Sequence, residues 1–92
     1  MESKAFSLEV VTPERVLFAG RVTTVVAPAA YGYLGVLANH APLLATLSTG
    51  RITFRREDGS MTTYVSEGAG FLEVRDNHVV ILADRCGERA AA

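Results

Sequence analysis

Tryptophan is missing from this 92-residue chain, cysteine occurs once and proline three times. The lone Cys86 has no internal partner, so no disulfide framework of a small secreted scaffold is available, and a reducing cytosolic compartment is expected. No stretch approaches the roughly 20 apolar residues that span a bilayer. The opening Met1-Glu2-Ser3-Lys4 lacks the apolar core of a secretory signal, and the chain reads as soluble. Charge of one sign is scarce too: nine basic against ten acidic residues leave a net −1. That balance excludes the basic face that releases counterions from nucleic acid, and no polybasic run suits an anionic lipid surface. The only basic cluster, Arg51 to Arg56, is interleaved with Ile52 and Phe54 and reads as the wet face of a strand.

What is present is aliphatic: 49% of the residues are hydrophobic and only 8% aromatic. The length suits one domain with one core. Turn signals recur at short intervals, the mark of an antiparallel sandwich or barrel. Phe6, Leu8 and Val10 alternate with Ser7 and Glu9, and the strand they form should stop at Pro13. Val16 to Phe18 makes a short strand that Gly20 breaks, and Arg21 to Ala27 makes another that Pro28 ends. Ala29 to Pro42 is the least regular part. Leu43 to Leu47 and Arg51 to Arg55 resume strand character. Asp58-Gly59 and Asp76-Asn77 suit primed hairpin turns, which need positive φ. Gly68 and Gly70 around Ala69 indicate a bulge or close backbone approach between Met61–Ser66 and Phe71–Arg75. Val79 to Leu82 is apolar on both faces and belongs in the middle of the packing. About eight or nine short strands follow, in a sandwich closing toward a barrel. Residues 85–92 read as a frayed tail or a helix stub.

Chemistry-bearing groups are sparse. Ser66, His40 and Asp84 supply the residue types of a hydrolytic triad, yet no nucleophile elbow or oxyanion-type loop accompanies them. His40, His78 and Cys86 show no paired-ligand spacing for a metal. Ser66-Glu67-Gly68-Ala69-Gly70 is Gly-rich, but a strand follows it and the phosphate-binding lysine is missing. Tyr31 and Tyr33 flanking Gly32 read either as rim packing or as a contact surface of large area and low entropy cost. His40-Ala41-Pro42 is either a structural loop or a rigid loop offered to a partner.

Four segments occur in a telling order: Leu8-Glu9-Val10-Val11-Thr12-Pro13-Glu14-Arg15-Val16, Gly35-Val36-Leu37-Ala38-Asn39-His40-Ala41-Pro42-Leu43-Leu44, Gly70-Phe71-Leu72-Glu73-Val74 and Val80-Ile81-Leu82-Ala83-Asp84. Together they resemble the N-terminal domain of the epsilon subunit of F-type ATP synthase, called delta in mitochondria, across residues 5–84. The second segment is the most specific. The resemblance implies an all-β, flattened, ten-stranded antiparallel β-sandwich or barrel without the usual C-terminal helical hairpin. It implies a non-catalytic central-stalk part that docks on gamma and couples it to the c-ring during proton-driven ATP synthesis. Such a part lies peripherally on the cytoplasmic face of a bacterial inner membrane, with no cofactor, metal or nucleotide site. By position, Thr12, His40, Ala41, Pro42 and Leu43 match the gamma-facing surface, and Tyr31, Gly32 and Tyr33 match the tip that approaches the c-ring.

Two departures bear on the sites. The family usually carries an acidic residue at the position of Tyr33 and proline at that of Ala38, so hydrogen bonding and aromatic packing from the tyrosines replace an ionic ring contact. The inhibitory, sometimes ATP-binding, helical hairpin would only be starting at Gly87-Glu88-Arg89-Ala90-Ala91-Ala92, and the Ala-rich end reads as natural. A free-standing β-barrel that binds a small ligand in its interior is the alternative, and inward apolar positions on nearly every strand suit a filled core better.

Overall fold

The computed structural model describes residues 4–88, and over them the chain forms seven strands and no helix. They are β1 (Phe6–Val11), β2 (Val16–Ala29), β3 (Gly32–Val36), β4 (Leu43–Leu47), β5 (Gly50–Arg56), β6 (Met61–Arg75) and β7 (His78–Glu88). The alternation in β1 does what a period of two dictates: Phe6, Leu8 and Val10 are buried while Ser7, Glu9 and Val11 face partly outward. Ile52 and Phe54 are likewise buried, and Arg51 and Arg55 are exposed.

Pairing closes on itself. β1 pairs with β2, β2 with β5, β5 with β6, β6 with β7, and β7 returns to β1. β4 lies along the second half of β6, and β3 along the end of β2. The long strands β2 and β6 serve both layers of the flattened barrel, so few edges remain open.

The all-β sandwich stands, with seven strands in place of ten. Gly20 does not break the chain: it pairs with Leu8 inside β2, and the Phe18 ring fills the space a side chain would take. Pro28 also sits within β2, where its carbonyl accepts from Ser48 N–H at 2.6 Å. Its nitrogen faces that same side, opposite Ser48, whose C=O accepts from the Ser66 hydroxyl instead, so the missing N–H leaves no acceptor unsatisfied. Gly68 and Gly70 do mark a bulge, a register shift within one continuous β6. Gly32–Val36, within the stretch expected to be irregular, is a strand paired to Val25–Ala29.

The sheet is not wholly antiparallel: β1 and β7, the first and last strands, run parallel, with the rest of the chain as their crossover. Arg85 to Glu88 is no tail or helix stub, because β7 continues there against Tyr64–Glu67. Residues 89–92 of that expectation lie outside the described residues. Asp76 and Asn77 both take positive φ, 52° and 59°, as a primed turn requires. The Asp58-Gly59 turn differs: only Gly59 is positive, at 91°, and it donates to Arg56 C=O. That is a three-residue hairpin with a glycine bulge.

The interior is filled. Phe6, Leu8, Val22, Val25, Ile52, Phe54, Leu72, Val79 and Ile81 are all buried. Each large aliphatic or aromatic side chain so placed contributes about 1.5–3 kcal/mol. Phe18 packs against Phe54 with ring centroids 4.4 Å apart and the planes tilted by 40°, and the Arg56 guanidinium lies 5.2 Å from the centre of the Phe18 ring.

Candidate docking surface

Strand register decides what the outer face of the β1–β7–β6–β4 layer displays. Val11 pairs with Leu82, Leu82 with Phe71, and Phe71 with Thr46, which sets three apolar side chains in a row across three strands. The next row runs Glu9, Val80, Glu73 and Leu44. Phe71 is 54% exposed, Leu82 43% and Leu44 69%; Val11, Leu82 and Phe71 make the apolar row, and Glu73 stands between Val80 and Leu44 in the next. The expectation that Val79 to Leu82 lies in mid-packing is half right. Val79 and Ile81 enter the core, whereas Val80 and Leu82 form this surface.

Both ends of the face carry the residues singled out in the sequence. At one end Thr12 is buried and closes the turn after β1. Its N–H donates to Arg15 C=O at 2.9 Å, and its Oγ1 accepts from Arg15 N–H at 3.3 Å. Thr12 therefore shapes the exposed Pro13–Arg15 turn and offers little surface itself. Beside it, Pro13, Ala69, Phe71, Leu82 and Asp84 line an apolar pocket of ≈ 220 Å³. At the other end, Ala41 and Pro42 are exposed and His40 half-buried, with Nδ1 2.7 Å from Ala41 C=O. An Asn77 clamp fixes this loop: its Oδ1 accepts from Asn39 N–H at 2.7 Å, and its Nδ2 donates to Ala5 C=O at 3.1 Å. Leu43 turns inward onto the core, so Leu44 is the leucine that faces outward. Pro42, Leu44, Glu73 and Arg75 line an open groove there of ≈ 540 Å³.

Tyr31, Gly32 and Tyr33 lie at the tip of the β2–β3 hairpin. Tyr31 is fully exposed; Tyr33 is anchored, its hydroxyl accepting from Arg51 N–H at 3.2 Å. A Cβ on Gly50 would come within 2.8 Å of both that hydroxyl and Pro28, so the glycine makes room for the anchor. The tip stands over β4, and Ala30 and Tyr31 form one wall of a groove whose other wall is Leu43–Thr46.

The triad residue types are not assembled. His40 sits by the Asp76-Asn77 turn, at the other end of β6 from Ser66. Ser66 is buried and donates to Ser48 C=O at 3.3 Å, while Asp84 leans over Gly68. Among the described residues, no group of three or more His, Cys, Asp or Glu could hold a metal ion. His78 instead meets Glu9 at 3.2 Å. Burial raises the pKa of the Cys86 thiol above its ordinary value. No helix among the described residues is long and apolar enough to cross a membrane.

Sequence reasoning missed Leu44, Phe71, Val80 and Leu82 as a surface. Its signal was the double-faced apolar run in β7, which becomes informative only once register aligns it with Phe71.

A closed all-β module with a filled core and an apolar outer face defines a β-sandwich domain. The chain belongs to the family described as the ATP synthase, Delta/Epsilon chain, beta-sandwich domain, whose model matches residues 5–89. It is 43% identical over 96% of its length to the ATP synthase epsilon chain of Dichelobacter nodosus, of which it covers 61%. With that of Solibacter usitatus it shares 52% identity over 90% of its length, covering 60% of the relative. With that of Chlorobium limicola it shares 41% over 88%, covering 91%. The chain thus spans about three-fifths of the first two relatives. A chain in the mitochondrial ATP synthase of Euglena gracilis has the same fold, with a TM-score of 0.86 at 23% identity over 94% of this chain and 54% of that one. One in the central stalk and c-ring structure of Tetrahymena thermophila gives 0.73 at 16% identity, over 88% and 64%.

Proposed function

We propose that this chain is a non-catalytic rotor part of a bacterial F-type ATP synthase. It docks on gamma through the outer face of β1, β7, β6 and β4 and presents the Tyr31–Tyr33 tip to the c-ring. Thr12 shapes one end of the gamma contact, and His40 to Pro42, with Leu44 in place of the inward-turned Leu43, form the other. The observation that carries this reading is the cross-strand row Val11–Leu82–Phe71, an apolar surface that water disfavours and a partner would cover. The relatives' common name and membership in one family support it.

Coupling then needs rigidity more than chemistry: the closed ladder transmits torque between gamma and ring during proton-driven synthesis. The chain sits peripherally on the cytoplasmic face of the bacterial inner membrane, takes no cofactor and binds no ATP. An interior ligand site would need a chamber where Leu8, Phe54 and Ile81 instead meet.

Mixing the chain with purified gamma, and adding it to head complexes stripped of this subunit, tests the proposal. A stoichiometric complex and restored coupling are expected. No association with gamma, or micromolar ATP binding by the isolated chain, would overturn it.

A further inference from the structure

The edge of β4 that faces away from β6 is unfinished. β2 meets it only at Ala29 and Leu47, through Ala30 N–H to Thr46 C=O at 3.0 Å and Ser48 N–H to Pro28 C=O at 2.6 Å. Past Ala30 the chain leaves into the Tyr31 hairpin, so among the described residues no strand lies along Leu43–Ala45 on this side. In an antiparallel ladder, residues two apart direct their backbone groups to the same side. Thr46 faces β2, so Leu44 presents its N–H and C=O along the same open edge, away from β6.

Natural sheets protect such edges with charge, proline or a bulge. Leu43-Leu44-Ala45-Thr46-Leu47 has no charge and no proline, and it pairs with β6 without a register shift. Alongside lies a groove of ≈ 360 Å³, walled by Ala29, Ala30 and Tyr31 opposite Leu43, Leu44, Ala45 and Thr46. A peptide backbone satisfies unpaired donors and acceptors in a row, which an apolar side chain cannot do.

Resting on the docking proposal, we infer that this ledge accepts an extended segment of gamma as an added strand, hydrogen-bonded to the N–H and C=O of Leu44. The ledge fits about three to four residues, near 10–13 Å of strand. The segment is uncharged, with an apolar or β-branched side chain beside Leu44. Gamma is the occupant because Leu44 also ends the row Glu9–Val80–Glu73–Leu44, so a partner seated on that face reaches the ledge directly. In a second copy, the hairpin at Tyr31 would block the ladder after Leu44.

Amide hydrogen exchange on the 15N-labelled chain, free and bound to purified gamma, tests this. The Leu44 amide should slow at least tenfold in the complex. Leu44→Pro, which deletes the outward N–H, should weaken gamma binding about tenfold with the β spectrum retained. A complex in which the Leu44 amide exchanges as in the free chain overturns strand addition and leaves the docking proposal standing. Absence of any complex overturns both. Protection that rises with chain concentration, without gamma, assigns the ledge to a second copy and overturns the inference. Should Leu44→Pro not fold, the exchange rates of the unaltered chain decide.

Discussion

Phe71 and Leu82 face each other across β6 and β7 on the side turned away from the core, 54% and 43% exposed. Each supports the other's position, and neither contributes to the interior. Phe71→Asp or Leu82→Asp should therefore weaken gamma binding about 100-fold or more, on the scale of a central hot spot. The free chain's stability should fall by only about 1–2 kcal/mol, the cost of one lost cross-strand apolar pair and of Asp in a strand. Titration calorimetry with gamma and urea unfolding of the free chain measure the two.

Just beneath that pair, Gly70 is buried at the end of the bulge, and a Cβ there would overlap the Leu82 carbonyl. Backbone atoms cannot yield as a side-chain tip does. Gly70→Ala should cost more than about 2 kcal/mol in urea unfolding. Gly35→Ala is the control: its nearest neighbour is the Val26 side chain at 4.0 Å, and the change should stay within about 1 kcal/mol.

The two tyrosines should separate by assay. Tyr33→Phe removes the hydroxyl that accepts from Arg51 N–H and should destabilise by about 0.5–1.5 kcal/mol, toward the lower end for so exposed a bond. Tyr31→Ala should leave the melting temperature unchanged. Replacing both by Ala should impair rotor assembly and coupling; intact coupling in that double variant would refute the proposed ring contact.

At the β5–β6 turn, Asp58 Oδ1 accepts from Ser60 Oγ at 2.6 Å and Ser60 N–H at 2.8 Å. These bonds, the side-chain one first, hold the carboxyl below the usual aspartate range. A depressed folded pKa stabilises above the unfolded value and loses that effect as pH falls through the folded one. Carboxyl-detected NMR titration should find Asp58 protonating late, and Ser60→Ala should move its midpoint upward. An unchanged midpoint would refute the Ser60 assignment.

Much of the fold was legible because its signals are local. The alternation of Phe6, Leu8 and Val10, the Asp76-Asn77 turn and the Gly68–Gly70 bulge depend on nearby residues. Gly20 and Pro28 misled because their meaning is set by distant partners: Leu8 across the ladder from one, the single β2–β4 bridge beside the other. The docking residues split the same way. His40 to Pro42 stand out in the sequence as a loop, whereas the Asn77 clamp that fixes the loop spans 38 positions. Leu44 and Leu82 look like any core leucine until pairing assigns their faces.

The parallel clasp of β1 against β7 also governs the order of events at the ribosome. The first strand to emerge needs the last as its neighbour, and non-local pairing of this kind is slow to form. In the nascent chain β1 must wait, incompletely paired, until β7 has been made and can lie beside it. Val11, Leu82 and Phe71 become one surface only then, so the proposed gamma contact cannot form on a chain that lacks β7.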